Sequence, residues 1–264
     1  MTIWGRAGSS EATGGPRDFV GSLAKGLRVL RAFDGQTRRA TLTEIAARTG
    51  LDRAAARRFL LTLTELGYVA RHGRHFTLTP RVLELSLPFL EGQSWIERAV
   101  PVMKRVTEAT GESCSASVLQ DQEIVYVARI PTRRIMSVSL NVGSRLPAFH
   151  TSMGRVQLGF LPEDEIRRRL QLVELRPFTP YTIVDRRALL ERIREDHAQG
   201  HALVDQELEA GLASIAVPLL ERSGQVIAAI NVSCQASRVS RMTMKERYLP
   251  RLKDAAAEIR AALV

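Results

Sequence analysis

The sequence predicts two domains, a mainly helical N-terminal domain and a larger α+β C-terminal domain, joined by a linker helix. A chain of 264 residues that is 45% hydrophobic can bury more than one core. Apolar residues recur at helical spacing in the first third of the chain, whereas β-branched runs of strand length dominate later. We therefore expect a disordered tail at 1–18, a first domain at 19–79, the linker helix at 80–93 and a second domain at 94–264.

Three helices and a hairpin are predicted in the first domain. In "SLAKGLRVLRAF" the apolar residues recur every three or four positions, which is typical of a helix with one buried face. In "TLTEIAARTG", Thr41 and Glu44 fit a capping box, and Gly50 fits a helix stop. A third helix begins after Asp52, and the alternation around Gly73 in "YVARHGRHFTLTP" predicts a small basic hairpin. Together these elements predict a winged helix-turn-helix domain that binds DNA.

The exposed side of the third helix and the hairpin tip are rich in arginine. Residues 1–80 contain 13 Lys+Arg and 6 Asp+Glu, so most of the net charge of +10 lies there. Arg57 and Arg58 are best placed to donate paired hydrogen bonds to guanine, whereas the other arginines fit phosphate contacts. A solvated, ion-paired face is the alternative, but Asp52 and Glu65 are the only acids between residues 51 and 69. The predicted DNA-binding residues are Arg53, Ala54, Arg57, Arg58, Thr62, Arg71 and Arg74.

The second domain is predicted as strands, helices and strands again, which favours one antiparallel sheet. "SASVLQDQEIVYVARI" and "MSVSLNVG" fit strands, and "TSMGRVQLGFL", "PEDEIRRRLQ" and "DRRALLERIREDHAQG" fit helices. "HALVDQ", "LASIAVPLLE" and "QVIAAINVSC" fit strands, and a terminal helix with a kink near Pro250 follows. Pro88 is expected to kink or end the linker helix before it reaches this domain.

Composition argues against other classes of protein. No apolar run approaches the roughly 18 residues of a spanning helix, and residues 1–18 lack the apolar middle of a signal peptide, so a cytoplasmic protein without membrane partners is expected. Cys114 and Cys234 lie far apart and are expected to be reduced thiols. The five histidines form no metal-binding pattern, and no phosphate or dinucleotide loop is present, so neither metal nor cofactor is expected.

Several long motifs occur in the order found in one known family. "SLAKGLRVLRAF", "TLTEIAARTGLDRAAARRFLLTLTELGYV", "FTLTPRVLEL", "RLPAFHTSMGRVQLG", "VDQELEAGLASIAVPL" and "GQVIAAINVSC" resemble the IclR family of bacterial transcription regulators. The resemblance implies a GAF-like second domain that binds a small aromatic or dicarboxylic acid, and a homodimer or dimer of dimers on an operator. It also implies contact with RNA polymerase if the protein is an activator. "TPRVLEL" and "RLPAFHTSMGR" are most similar to the branch that controls protocatechuate and 4-hydroxybenzoate breakdown through the β-ketoadipate pathway.

The same resemblance implies an effector pocket in the second domain. Ser152, Met153, Ser214, Asn231 and Ser233 match positions that line the pocket in the family, although Ser214 and Asn231 replace a Cys and a Ser of some relatives. A family pocket acid is replaced by Val204, with Asp205 adjacent. Nearby arginines could pair with an acid, and aromatic rings could stack on it. The predicted effector-binding residues are Arg133, Arg134, Arg145, Phe149, His150, Thr151, Ser152, Met153, Ser214, Asn231 and Ser233.

Two other functions remain open at this point. Ser152, His150 and Asp205 supply the residue types of a hydrolase triad, yet the serine lacks the G-x-S-x-G turn, so we expect no enzyme. An architectural DNA-binding protein that ignores small molecules is the second alternative. The polar residues on strands of the second domain argue against it, although a hydrogen-bonded core network could also explain them.

Overall fold

The computed structural model describes residues 18–34, 37–92, 94–132 and 140–263. The chain divides into two compact units between Glu91 and Gly92, and each is described by itself. Apart from Asp18, the tail predicted at 1–18 lies outside the described residues.

The first unit contains three helices and a small sheet, as the sequence predicts. Its elements are α1 Gly21–Arg31, β1 Ala40–Thr41, α2 Leu42–Thr49, α3 Arg53–Glu65, β2 Val69–His72 and β3 His75–Leu78. The three strands are antiparallel in the order β1-β3-β2, so the predicted hairpin gains a short third strand. Val29, Ile45, Leu60 and Phe76 form part of its core.

Local hydrogen bonds explain where these helices begin and end. Thr41 and Glu44 form the predicted capping box, with the Thr41 N–H donating to Glu44 Oε2 at 2.7 Å. Gly50 ends α2 at φ 66°, a left-handed conformation that glycine adopts without strain. Asp52 Oδ1 accepts from the Ala55 N–H at 2.7 Å and thereby caps α3. The α1 helix, in contrast, begins after Val20 with no side-chain cap.

The linker expected as one helix over 80–93 is divided in the structure. Pro80–Leu85 forms a 3-10 helix, and a separate short helix, α4, spans Leu87–Glu91. Pro88 explains the division, because proline has no N–H to donate and its ring clashes with the carbonyl four residues earlier. At the second position of α4 neither defect matters, so the predicted break lies just before Pro88 and a new helix begins there.

The second unit is built around a six-stranded antiparallel sheet in the order β6-β5-β4-β9-β8-β7. Its strands are β4 Ser113–Gln120, β5 Glu123–Ile130, β6 Arg145–Pro147, β7 Ala202–Asp205, β8 Leu212–Leu220 and β9 Val226–Gln235. Its helices are α5 Ser94–Thr110, α6 Ser152–Leu158, α7 Glu163–Leu172, α8 Arg186–Gln199, α9 Arg241–Thr243 and α10 Leu249–Ala261. One face of the sheet packs against α6 and the core formed by α7 and α8, and the other packs against α5 and α10.

Most predicted elements of the second unit are confirmed, and three places differ. The run "MSVSLNVG" was expected to be a strand, but residues 136–139 lie outside the described residues and 140–143 hold no strand. The short strand β6 was not predicted. A kink was expected at Pro250. The irregular segment of this helix instead lies one turn earlier, where Met244–Tyr248 forms a π-helical turn.

Candidate DNA-binding and effector-binding sites

The α3 helix separates an apolar side from a polar one. Ala56, Leu60 and Leu63 are buried in the first unit. The predicted contact residues of this helix are all exposed: Arg53, Ala54, Arg57, Arg58 and Thr62. The wing residues Arg71 and Arg74 are exposed as well.

The exposed side of α3 consists of two parallel rows with different surroundings. Arg53 and Arg57, one turn apart, line a groove of about 420 Å³ together with Arg71 and Arg74 of the wing. The other row runs along the neighbouring side of the helix and contains Ala54, Arg58 and Thr62. The Thr62 hydroxyl donates to the Arg58 carbonyl at 2.9 Å. Four arginines from two elements therefore share one concave, cationic surface.

These arginines are not engaged by carboxylates. Among the residues that the structure describes, Arg53, Arg57, Arg58 and Arg74 form no ion pair, whereas Arg48 of α2 pairs with Asp34 at 2.5 Å. An ion-paired face, the alternative considered above, would show such pairs, and none is found for these arginines within the described residues. The surface has the charge and shape to bind a polyanion.

In the second unit, polar side chains form two rows across the α6 face of the sheet. The strand register places Ser113 of β4 beside Ser233 of β9, and Ser233 beside Ser214 of β8. One step along the strands, Arg129 of β5 lies beside Ser115 of β4, which lies beside Asn231 of β9. We call the five residues other than Arg129, together with Ser117 of the next row, the polar floor: Ser113, Ser115, Ser117, Ser214, Asn231 and Ser233.

The first turn of α6 lies over this polar floor. The hydroxyls of Ser152 and Ser214 are 2.9 Å apart. Ser117 Oγ lies 3.3 Å from Met153 Sδ, and Thr151 caps the helix by accepting from the Gly154 N–H at 3.2 Å. Ser152, Met153, Ser214, Asn231 and Ser233, which the family resemblance predicts, are thus brought together.

Asn231 keeps unused hydrogen-bonding capacity inside this cluster. Its Nδ2 donates to Ser233 Oγ at 3.0 Å, while its buried Oδ1 has no protein partner among the described residues. Burying an unpaired polar atom is costly, so such atoms are usually satisfied by water or by a ligand. The polar floor can therefore still bind a polar group.

The predicted aromatic residues lie just before α6. Phe149 is fully buried in the core, and its carbonyl accepts from Arg155 Nε at 2.9 Å. The His150 ring meets the Phe178 ring edge-on at a centroid distance of 5.4 Å. Burial, with a smaller contribution from Arg155, lowers the pKa of His150 to about 4, so the imidazole is neutral at pH 7. Both ring nitrogens are buried without a partner in the described part of the chain.

Arg145 is not brought together with the polar floor. Its strand neighbour Leu146 belongs to the core beneath α6, so the Arg145 side chain points to the opposite face of the sheet. There its Nε donates to Glu123 at 2.7 Å, and its Nη1 donates to Gln120 at 2.8 Å. Arg133 and Arg134, also predicted to bind effector, lie outside the described residues.

The hydrolase triad considered above is not assembled. Val204 pairs with Ser214 on the α6 face, so the next residue, Asp205, points to the other face. His150 contacts neither Ser152 nor Asp205 through a hydrogen bond in the described structure, and Ser152 is bonded to Ser214 instead. These three side chains therefore cannot act as nucleophile, base and orienting acid in this arrangement.

A buried ion pair holds α6 against the loop that follows β7. Arg155 is fully buried and donates from Nη1 to Glu207 Oε1 at 2.9 Å, with a second bond from Nη2 to Oε2. The hydroxyls of Thr179 and Thr182 donate to the carbonyls of Gln206 and Glu207, each at 2.6 Å. These bonds fix the position of α6 over the polar floor.

Two family descriptions match this arrangement of domains. "IclR helix-turn-helix domain" matches residues 22–73, and "Bacterial transcriptional regulator IclR C-terminal" matches residues 89–261. The chain belongs to the IclR family of bacterial transcriptional regulators. Its first unit is accordingly a DNA-binding helix-turn-helix domain, and its second is the IclR effector domain.

Individual IclR-family relatives are similar over almost the whole chain. The Pca regulon regulatory protein of Pseudomonas putida is 42% identical over 94% of this chain and 85% of its own length. The p-hydroxybenzoate hydroxylase transcriptional activator of Acinetobacter baylyi is 36% identical over 92% of each chain. The crystal structure of an IclR homologue from Microbacterium hydrocarbonoxydans complexed with 4-hydroxybenzoate is 26% identical, with a TM-score of 0.80, and the match covers 91% of this chain and 98% of that one.

The sequence reasoning missed four residues of the IclR effector domain, namely three serines of the polar floor and the arginine beside them. Ser113, Ser115 and Ser117 alternate along β4 and share one face, and Arg129 lies beside Ser115 on β5. The alternating serines of "SCSAS" were a usable signal. Nothing in the sequence, however, places β4 next to β9.

Neither a metal site nor a membrane span is found in the described part of the chain. It contains no group of three or more metal-ligating side chains. Within the same residues, every helix falls short of the length and apolar character needed to cross a membrane.

Proposed function

We propose that this IclR-family regulator binds its operator through α3 and the wing, and that an aromatic acid anion bound beneath α6 controls that binding. The observation that carries the proposal is the cationic surface formed by arginines of α3 and the wing, which have no carboxylate partner within the described residues. We further propose that the protein works in the cytoplasm as a non-enzymatic regulator, as a homodimer or dimer of dimers, and contacts RNA polymerase if it activates.

The two rows of α3 suggest different contacts with DNA. Arg58, beside the small residue Ala54 and the hydroxyl of Thr62, has the exposure to reach base edges in the major groove. Arg57, with Arg53, Arg71 and Arg74, lines a groove that fits the sugar-phosphate backbone. Arg57 can also reach a base, since α3 enters the groove by its N-terminal half.

The effector class follows from the polar floor and from the relatives. Hydroxyl and amide groups beneath α6 can bind carboxylate or phenol oxygens, and apolar side chains such as Met153 and Tyr126 can contact a ring. One structural neighbour is complexed with 4-hydroxybenzoate, and one relative is a p-hydroxybenzoate hydroxylase transcriptional activator. Protocatechuate, 4-hydroxybenzoate and β-ketoadipate are therefore the first candidates, and genes of the β-ketoadipate pathway are the proposed targets.

The DNA-binding half of the proposal is tested on an operator selected from random DNA with the wild-type protein. We expect Arg58→Ala to weaken operator binding by about 1–3 kcal/mol, roughly 5- to 150-fold, with the fold intact, because a good bidentate contact to a base is worth that much. Gel-shift titration measures the loss of affinity. The control is Arg167→Ala, because Arg167 is an exposed arginine of the other unit, where it pairs with Glu163. If Arg58→Ala binds the operator with wild-type affinity, the assignment of Arg58 to a base contact is wrong.

The effector half is tested by calorimetry and footprinting with the three candidate acids. Heat of binding and a footprint that changes with the acid are expected. Absence of heat with all three discards the proposed effector class. If an acid binds but the affinity of the protein for its operator stays the same, the architectural alternative is favoured instead.

A further inference from the structure

We propose that Arg129 neutralises the carboxylate of the effector and so selects acids over neutral aromatic compounds. This inference rests on the proposed function and adds to it a specific residue, one that neither the family match nor the sequence patterns single out.

The position of Arg129 points its charge at the polar floor. Arg129, Ser115 and Asn231 stand side by side on three adjacent strands, on the face that α6 covers. Arg129 Nη1 donates to Ser115 Oγ at 3.4 Å, which is a long bond to a neutral partner. A guanidinium has five N–H donors, so most of its donor capacity remains available to a ligand.

Arg129 also stands apart from comparable cations of the same unit. The four other buried or partly buried arginines of this unit, among the described residues, each bind a carboxylate: Arg145 binds Glu123, Arg155 binds Glu207, Arg169 binds Glu165 and Arg192 binds Glu195. Half-buried Arg129 has no carboxylate partner among the described residues, and residues 133–139 contain no Asp or Glu. Its buried neighbour Tyr126 does not supply the charge, because burial raises the pKa of that phenol to about 12.

An incoming carboxylate would complete this arrangement. A guanidinium binds a carboxylate through two parallel hydrogen bonds, and these are stronger when water is excluded. The hydroxyl of Ser115 and the free Oδ1 of Asn231 lie in the same row and can bind a second polar group of the ligand. Arg129 thereby supplies a countercharge of the kind that the sequence reasoning assigned to Arg133, Arg134 and Arg145.

The test compares an acid with its uncharged ester. Calorimetry measures the affinities of wild type and Arg129→Gln for 4-hydroxybenzoate and its methyl ester, and for protocatechuate and its methyl ester. We expect wild type to prefer each acid. In Arg129→Gln the acid should bind about 10- to 150-fold more weakly, as expected for a charge-assisted hydrogen bond worth about 1.5–3 kcal/mol, while ester affinity stays the same.

Two further variants guard against a change that is merely structural. Arg129→Lys keeps the charge, so it should retain part of the preference for the acid. Arg145→Gln removes an arginine on the opposite face of the sheet and should leave the acid-to-ester ratio unchanged. Thermal unfolding checks that each variant is folded. If Arg129→Gln does not fold, the acid-to-ester ratio of Arg129→Lys alone decides the role of Arg129.

The possible outcomes separate this inference from the proposed function. If the wild-type protein binds acids and esters equally, or if Arg129→Gln keeps the wild-type ratio, the role of Arg129 is overturned and the proposed effector class stands. If the wild-type protein binds none of the acids, the effector class fails and the Arg129 assignment fails with it.

Discussion

Asp196 is a buried carboxylate of α8 that lies outside the polar floor. It is 3% exposed, and its Oδ2 has no protein partner in the described structure. Burial raises its pKa from 3.8 to about 7, and the charges that act on it are those of Arg155, Arg192, Glu207 and Glu195. The folded protein therefore binds a proton that the unfolded chain releases between about pH 4 and pH 7.

This pKa predicts how stability depends on pH. Because the folded-state pKa is raised, the stabilisation from Asp196 is complete near pH 4 and is lost as the pH rises through about 7. Asp196→Asn should remove this loss, so the variant gains stability over wild type on the order of 4 kcal/mol between pH 4 and pH 8.

Urea unfolding at several pH values measures this difference. His150, whose pKa is lowered to about 4, stabilises the fold increasingly as the pH rises from about 4, and comparison of variant with wild type cancels its effect. Parallel stability curves for the two proteins would contradict the prediction.

At the residue scale, the family resemblance predicted which side chains lie close together better than residue chemistry did. Ser152, Ser214, Asn231 and Ser233 were predicted and do lie together. Arg145 was chosen for its charge, but side chains on a strand alternate between faces, so being one position from Leu146 is enough to turn it away. Arg129 could not be chosen, because its relation to Asn231 depends on the pairing of β5, β4 and β9.

The α6 helix depends on a glycine where it passes the turn that precedes it. Ala148–His150 forms a 3-10 turn, and a Cβ added to Gly154 would lie 2.1 Å from the Ala148 carbonyl oxygen. The backbone on both sides must shift to make room, because no flexible side chain is involved. The close packing of α6 against the Ala148–His150 turn therefore depends on Gly154.

We expect Gly154→Ala to destabilise the protein by about 1–3 kcal/mol, as overpacking does, and to weaken effector binding. Gly26→Ala in α1 is the matched control, since its nearest neighbour would be Phe59 at 3.7 Å, an ordinary contact. That change should stabilise the helix by about 0.5–1 kcal/mol. Denaturant unfolding measures both variants, and equal effects would refute the steric account.

At the element scale, local signals predicted helix ends well and the linker poorly. The caps at Thr41 and Asp52 and the stop at Gly50 are short-range and were visible in the sequence. The proline at 88 was also visible, but whether it ends one helix or starts another depends on packing over a longer stretch.

The distribution of charge over the whole molecule predicts strong salt dependence of operator binding. The first 80 residues carry most of the net positive charge, and counterions leave DNA when arginines replace them. The logarithm of the operator affinity should fall linearly with the logarithm of the salt concentration. Arg71→Ala and Arg74→Ala should each reduce that slope by about 1.

Gel-shift titration over a range of salt concentrations measures the slopes. Arg167→Ala, in the other unit, should leave the slope unchanged. A wing variant with the wild-type slope would show that the arginine it lacks does not contact phosphate.

The order of strands in the central sheet has a consequence for how the protein is made. The first strand of the second unit, β4, pairs with its last strand, β9. The polar floor is therefore complete only when residues 226–235 have left the ribosome. The helix-turn-helix core, in contrast, is complete by residue 78. A chain cut short before β9 would expose the edge of β4, a template for aggregation. Truncated products should therefore be removed as insoluble or degraded protein, rather than persist as regulators that bind operators but ignore the effector.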